Sequence, residues 1–226
     1  MRSDRAPASD GGLPPSALID SGGRARRQVR ESNELRILDA AEQVFAGAGF
    51  GGATMAAIAE AADLPKANLH YYFGNKRALY RAVLARILDD WLVPVQGITP
   101  QADPLTALDA YIHDKMRMAF ARPQASKVFA NELLHGAPEI GDMLAVTLNP
   151  LVREKAAVID QWIAQGRMPA VDSTHLFFTI WAATQTYADF AVQVRAVLGV
   201  AALGPVQQQR ATTHVRDLVL RGCGLL

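Results

Sequence analysis

The sequence predicts an all-α fold, with a small N-terminal helical unit followed by a larger C-terminal helical bundle. Three observations point there. Apolar residues recur at three- and four-residue spacing along most of the chain. No stretch alternates apolar and polar residues as a half-buried strand would. Gly and Pro breaks fall at helix-length intervals. Alanine is frequent and aromatic residues make up only 7% of the chain, which also suits helix.

The elements follow in order. Up to about residue 28, Gly11-Gly12, Pro14-Pro15 and Gly22-Gly23 read as a disordered arm. It ends in a basic cluster of Arg24, Arg26, Arg27 and Arg30. A first helix starts near Asn33, with Ile37, Ala41 and Val44 on one face and Leu38 and Phe45 beside them; Gly47 and Gly49 stop it. Thr54 reads as the N-cap of a short second helix whose Met55, Ile58 and Ala59 turn inward. Asp63-Leu64-Pro65 marks a turn into a third, where proline suits the first turn because its missing N–H has no partner there. That helix ends at Phe73-Gly74. A fourth begins at Asn75-Lys76 and carries a buried stripe of Leu79, Val83, Ile87 and Trp91 before Pro94 and Gly97. Further helices are expected at 104–121, 125–135, 139–165, 172–198 and 205–221, and no internal repeat is visible. The expected organisation is an arm at 1–30, a small helical unit at 31–78 and a larger helical domain at 79–226.

Composition narrows the function. Half of the 226 residues are hydrophobic and a fifth are charged, so a core can form, and the net charge is only +1. A neutral whole leaves local basic patches open. The single cysteine, Cys223, excludes an internal disulfide and a cysteine-built zinc site, and fits a reducing compartment. No segment has the ~18 consecutive apolar residues of a membrane span, and no apolar run precedes a cleavage site. A cytoplasmic protein with no metal, no cofactor and no membrane partner is expected. The five histidines come without an HExxH motif, a phosphate loop or a nucleophile elbow, so no catalytic residues are expected and an enzyme is the remote alternative.

Residues 53–73 carry the most information. Two short helices joined by a tight turn at 62–64 have helix-turn-helix spacing, whose second helix offers its N-terminal residues to base edges in the major groove. Those residues are Lys66, Ala67, Asn68 and His70. Lysine can donate to guanine or neutralise phosphate, asparagine can pair bidentately with adenine, and a small Ala67 permits close approach. Of Tyr71 and Tyr72, one can reach phosphate while the other packs inward. Lys76 and Thr54, each at a helix start, are expected on phosphates. Arg27 and Arg30 either reach a neighbouring phosphate or belong to a solvated tail.

Residues 34–80 resemble the DNA-binding domain of the TetR family of regulators. The resemblance rests on Ile37-Leu38-Asp39-Ala40-Ala41, Phe45 with Gly49-Phe50, Thr54 with Ile58-Ala59, Leu69-His70-Tyr71-Tyr72-Phe73, Asn75-Lys76 and Leu79. It implies a homodimer that grips double-stranded operator DNA and answers to a small-molecule effector, most simply as a repressor. Lys66 and Tyr72 match positions that commonly touch DNA. Pro65 stands where serine is frequent, which removes a hydroxyl and an N–H from that place.

In the C-terminal half, Gln185 lies one turn after Trp181 and shares its face. An indole beside an amide can cradle a flat heterocycle, though spacing alone favours a core tryptophan and a satisfied amide. Ile180-Trp181-Ala182, Thr184-Gln185, Tyr187-Ala188-Asp189-Phe190, Gly136-Ala137-Pro138 and Trp91-Leu92 are similar to uracil- and thymine-responsive members of the family. That resemblance implies a pyrimidine pocket with Trp181 and Gln185, and more weakly Tyr187, Trp91 and Lys115. A drug, fatty acid or other more hydrophobic effector is the alternative. The dimer is expected to pair through 172–198 and 205–221.

Overall fold

The computed structural model describes residues 16–226, with side chains from residue 23 onward. Among the described residues there is helix and no strand. Helix α1 spans Ser16–Gly52, α2 Met55–Ala61, α3 Lys66–Phe73 and α4 Lys76–Leu92. A 3₁₀ turn at Pro94–Gly97 leads to α5 (Pro104–Ala121), α6 (Pro123–Leu134) and the short α7 (Gly141–Met143). A π turn at Leu144–Leu148 leads to α8 (Asn149–Ala164), followed by α9 (Ser173–Asp189), α10 (Ala191–Leu198) and α11 (Pro205–Gly222).

The arm departs from expectation. The part at 1–15 lies outside the described residues, but from Ser16 the backbone is helical and continuous with α1. From Arg24 to Glu34 the sequence has no Gly or Pro and is rich in Arg, Ala, Gln and Glu, all strong helix formers. An i,i+4 pair between Arg27 and Glu31 at 2.8 Å adds to this. Residues 23–32 are all exposed, so burial of apolar surface does not carry this stretch. Of the two glycines expected to stop the helix, Gly47 is helical and Gly49 carries the break. The helical path breaks at Gly49 (φ 66°, ψ 175°), which only glycine adopts easily, and one more turn follows.

Two further boundaries differ. The expected helix at 139–165 is interrupted by the π turn, just before Pro150. Proline offers no N–H to the preceding turn, so the hydrogen-bond ladder is locally rearranged there. The expected helix at 172–198 is two helices, parted at Phe190 (φ −108°, ψ 30°) with neither Gly nor Pro to announce it. Asp189 at that break accepts a hydrogen bond from the Ser126 hydroxyl of α6.

Apolar faces assemble into two cores. One joins α1–α4 to α6 and the segment around α7, through Ile37, Phe45, Ile58, Leu69, Leu84 and Phe129. The other joins α5, α8, α9 and α11, through Leu108, Ile112, Ile159, Trp162, Phe177 and Val215. The expected boundary at residues 78 and 79 falls inside α4, which packs against α1, α3 and α6. Helix α4 is therefore shared by the small N-terminal unit and the bundle. Its arginines strengthen the junction: Arg86 meets Asp39 of α1 at 2.5 Å, and Arg81 reaches Asp142 at 2.8 Å.

Candidate DNA-binding face and effector cavity

The helix-turn-helix is built from caps and one left-handed residue. The Thr54 hydroxyl oxygen accepts from the Ala57 N–H at 3.1 Å and starts α2. The chain leaves α2 through Asp63 (φ 49°), a region that Asp tolerates better than bulkier residues. Arg36 of α1 donates to the carbonyls of Ala62 (2.9 Å) and Asp63 (3.2 Å), pinning that turn to α1. Leu69 is fully buried and anchors α3.

This anchoring decides what α3 presents. Lys66, Ala67, His70 and Tyr71 are exposed, and Asn68 is half-buried. Tyr71 is 75% exposed, whereas Tyr72 is half-buried and its hydroxyl accepts from Asn33 at 3.5 Å. Tyr71 therefore points outward, and Tyr72, the one matching a position that commonly touches DNA, is turned partly inward. The His70 Nδ1 is 2.8 Å from the Gly74 carbonyl, where it closes the end of α3 and leaves Nε2 outward. The Asn68 side chain makes no hydrogen bond among the described residues, so both halves of its amide remain available.

Lys76 corrects an expectation. Its ammonium is not held out for phosphate. It donates to the carbonyls of Phe50 (2.7 Å) and Ala53 (2.9 Å) and lies 4.5 Å from the Phe50 ring centroid. The last carbonyls of a helix lack intrahelical donors, so a nearby cation is drawn to them. Asn75 caps α4, its side chain accepting from the Ala78 N–H. Arg27 is paired with Glu31, and Arg30 is exposed.

The second site lies at the seam of the two cores. A cavity of about 140 Å³ is lined by Trp91 and Leu92 of α4, Tyr111 and Lys115 of α5, Phe129 of α6, Leu151 and Val152 of α8, and Trp181 and Gln185 of α9. The structure thus brings together four of the five residues predicted for a ligand. Tyr187 is the exception. It packs edge-on against Phe120 with centroids 5.8 Å apart and lines an open groove of about 980 Å³ beside α10 and α11. At i+2 from Gln185 it points to another side of α9.

Inside the cavity Trp181 donates from Nε1 to the Tyr111 hydroxyl at 2.7 Å, which fixes the indole plane. Burial pushes the Tyr111 phenol up to about 12, against the opposing pull of that hydrogen bond. The Gln185 amide makes no hydrogen bond among the described residues. The Lys115 ammonium lies 4.4 Å from the Trp91 ring centroid, and burial pulls it down to about 8, partly offset by the Asp189 charge. A narrow side cavity runs from Lys115 and Gln185 to Ser126 and Arg122. There Arg122 bridges Asp90 of α4 and Glu42 of α1.

Sequence reasoning passed over Arg36, Tyr111, Arg122 and the Ser126–Asp189 pair. Tyr111 had a signal: it stands one turn before Lys115 on the same face of an amphipathic helix. The others are joined only by folding, since Arg122 and Glu42 are 80 residues apart.

Residues 37–83 match bacterial regulatory proteins of the tetR family, and residues 84–226 match the C-terminal region of YcdC-like proteins. The chain belongs to the TetR family. It is 40% identical over 204 residues to the HTH-type transcriptional regulator RutR of Escherichia coli strain K12, covering 90% of this chain and 96% of that one. In fold it is similar to the ketosteroid transcriptional regulator KstR2 of Mycobacterium tuberculosis, with a TM-score of 0.66 at 19% identity over 84% and 94% of the two chains. It is likewise similar to the TetR family regulator PfmR of Thermus thermophilus, with a TM-score of 0.63 at 19% identity over 82% and 97%. The protein is a helix-turn-helix transcriptional regulator, and its family and relatives are regulators rather than enzymes. No helix among the described residues is long and apolar enough to cross a membrane.

Proposed function

We propose that this regulator binds operator DNA as a homodimer through α3 and releases it when a single-ring heterocycle of the uracil or thymine type fills the cavity between α4, α5, α8 and α9. One observation carries the effector reading: Trp181 and Gln185 share a cavity wall with Trp91 and Lys115. The resemblance of Ile180-Trp181-Ala182 and Thr184-Gln185 to uracil- and thymine-responsive members of the family supports it. The two tryptophans offer ring faces, and the free Gln185 amide offers one donor and one acceptor, the pattern an imide edge requires. About 140 Å³ is well under the ~300–1,000 Å³ of drug-sized sites and suits a small ring. The apolar α8 wall, Leu151 with Val152, favours a second reading, a compact hydrophobic effector.

On the DNA side, Lys66, Ala67, Asn68 and His70 face bases, with Thr54, Tyr71 and the N–H groups at the start of α4 on phosphates. Tyr72 and Lys76 serve chiefly to hold the unit together, and Arg30 and Arg27 lie further along exposed α1. Two copies pair through α9–α11, where Phe190, Val197 and Leu198 are exposed beside the large groove. An effector shifts the equilibrium only by binding one dimer spacing better than another. Helix α4 suits that coupling, since about 25 Å of rigid helix runs from the helix-turn-helix to Trp91.

The test is a thermal-shift titration with uracil, thymine and a hydrophobic compound of similar volume. The pyrimidines are expected to raise the melting temperature and to release operator DNA. Stabilisation by the hydrophobic compound alone would refute the pyrimidine reading.

A further inference from the structure

Lys115 is 5% exposed, and among the described residues its ammonium makes no hydrogen bond and no ion pair. Its nearest recognised partner is the Trp91 ring, 4.4 Å from Nζ. An ammonium carries three donors, and removing it from water without acceptors is costly. A ring face recovers only part of that cost.

The charged groups around it leave the need unmet. Asp189 on α9 favours the ammonium electrostatically, but that carboxylate accepts from Ser126, also faces Lys127, and is itself disfavoured as an anion by burial. Arg122 on α6, at the far end of the side cavity, is held by Glu42 of α1 and Asp90 of α4. From α8 the wall offers only apolar side chains. The ammonium keeps access to the cavity and lacks a protein acceptor, so its acceptor comes from whatever fills the cavity, water or an effector.

We infer that Lys115 is the effector's charge anchor: its protonated amine donates to an exocyclic ring oxygen, so the site selects planar heterocycles bearing carbonyl or enolate oxygens over oxygen-free rings of the same size. This deepens the pyrimidine reading and rests on it. Gln185 then reads the adjacent N–H and C=O edge, and Lys115 demands the electron-rich oxygen. Binding also fixes a proton. An amine that titrates near 8 in the free protein is held charged by the bound oxygen, so complex formation in mild alkali takes up a proton at Lys115.

The test is isothermal titration of the full-length regulator with uracil and with unsubstituted pyrimidine, in two buffers of different ionisation enthalpy, at pH 6.5 and pH 8.5. The wild type, Lys115→Met and Lys115→Gln are compared, with melting curves to establish that each variant is folded. The wild type is expected to bind uracil but not pyrimidine, with uptake of roughly three-quarters of a proton at pH 8.5 and almost none at pH 6.5. Both variants are expected to bind uracil at least tenfold more weakly and without proton uptake. Unaltered uracil affinity in the variants, or no proton uptake by the wild type, would overturn the anchor and leave the pyrimidine site standing. Absence of uracil binding by the wild type would overturn both.

Discussion

Replacing Lys76 with methionine separates two roles that its position at the start of α4 would otherwise confound. In the structure the ammonium donates to two carbonyls of the α1 end, Phe50 and Ala53, and lies over the Phe50 ring. A charge-assisted hydrogen bond contributes about 1.5–3 kcal/mol, and a cation–π contact about 0.5–1 kcal/mol at accessible sites. Lys76 is half-buried, so solvent screens the gain and water can reach the released carbonyls. Methionine also keeps most of the apolar stem. The expected loss is about 2 kcal/mol in chemical denaturation, or roughly 4–8 °C in melting temperature for a chain of this size. Each phosphate neutralised by a protein cation contributes about 0.9 to the slope of log K against log salt. A clamp that spends its charge on α1 leaves that slope unchanged when removed, so operator affinity falls by a similar factor at every salt concentration. A slope shallower by about 0.9 with no change in stability would refute the clamp and return Lys76 to the phosphate backbone.

Asn68→Ala, measured by titration against cognate and scrambled operator, is expected to cost about 1–3 kcal/mol for the cognate site only; equal losses on both would assign Asn68 to the backbone. Trp181→Phe removes the 2.7 Å bond to Tyr111 and is expected to destabilise the fold by about 1 kcal/mol while abolishing release of operator by uracil. Full induction in that variant would take Trp181 out of the effector site. Arg122→Met leaves the buried Glu42 carboxylate without its partner, and an unfolding free energy lower by about 2–3 kcal/mol is expected, discounted from the fully buried case because the guanidinium is a third exposed. A neutral outcome would mean that the bridge contributes no net stability. For Lys115 the folded-state value, pulled down to about 8, lies below the unfolded value of 10.5, so the folded chain binds fewer protons between them. Its destabilising effect is full below about pH 8 and fades as pH rises toward 10.5. Compared with Lys115→Met, the wild type should gain about 3 kcal/mol of relative stability across that window, and a flat difference in urea unfolding would contradict it.

Much of the N-terminal unit was legible because its signals are local. Thr54 and Asn75 are caps within one turn of the backbone groups they bind, Asp63-Leu64-Pro65 is turn chemistry, and Leu69 is the apolar residue that places Lys66, Ala67 and His70 outward. Boundaries set by subtler local competition were missed. Arg24–Arg30 is helical where flanking glycines suggested an arm, and the chain breaks at Phe190 without any punctuating residue.

Periodicity and residue type determined the all-helical class, the helix-turn-helix, and the shared face of Trp181 and Gln185, because those depend on neighbours three or four positions apart. Tertiary structure alone decided which faces meet. It set Trp91 of α4 into the same cavity as Gln185 of α9, and turned Tyr187 away from it. It also drew the Lys76 ammonium onto α1 and left Lys115 buried without an acceptor. A side chain's charge is written in the chain, but whether water, a carbonyl or a ligand answers it is settled by what the rest of the fold brings within hydrogen-bond reach.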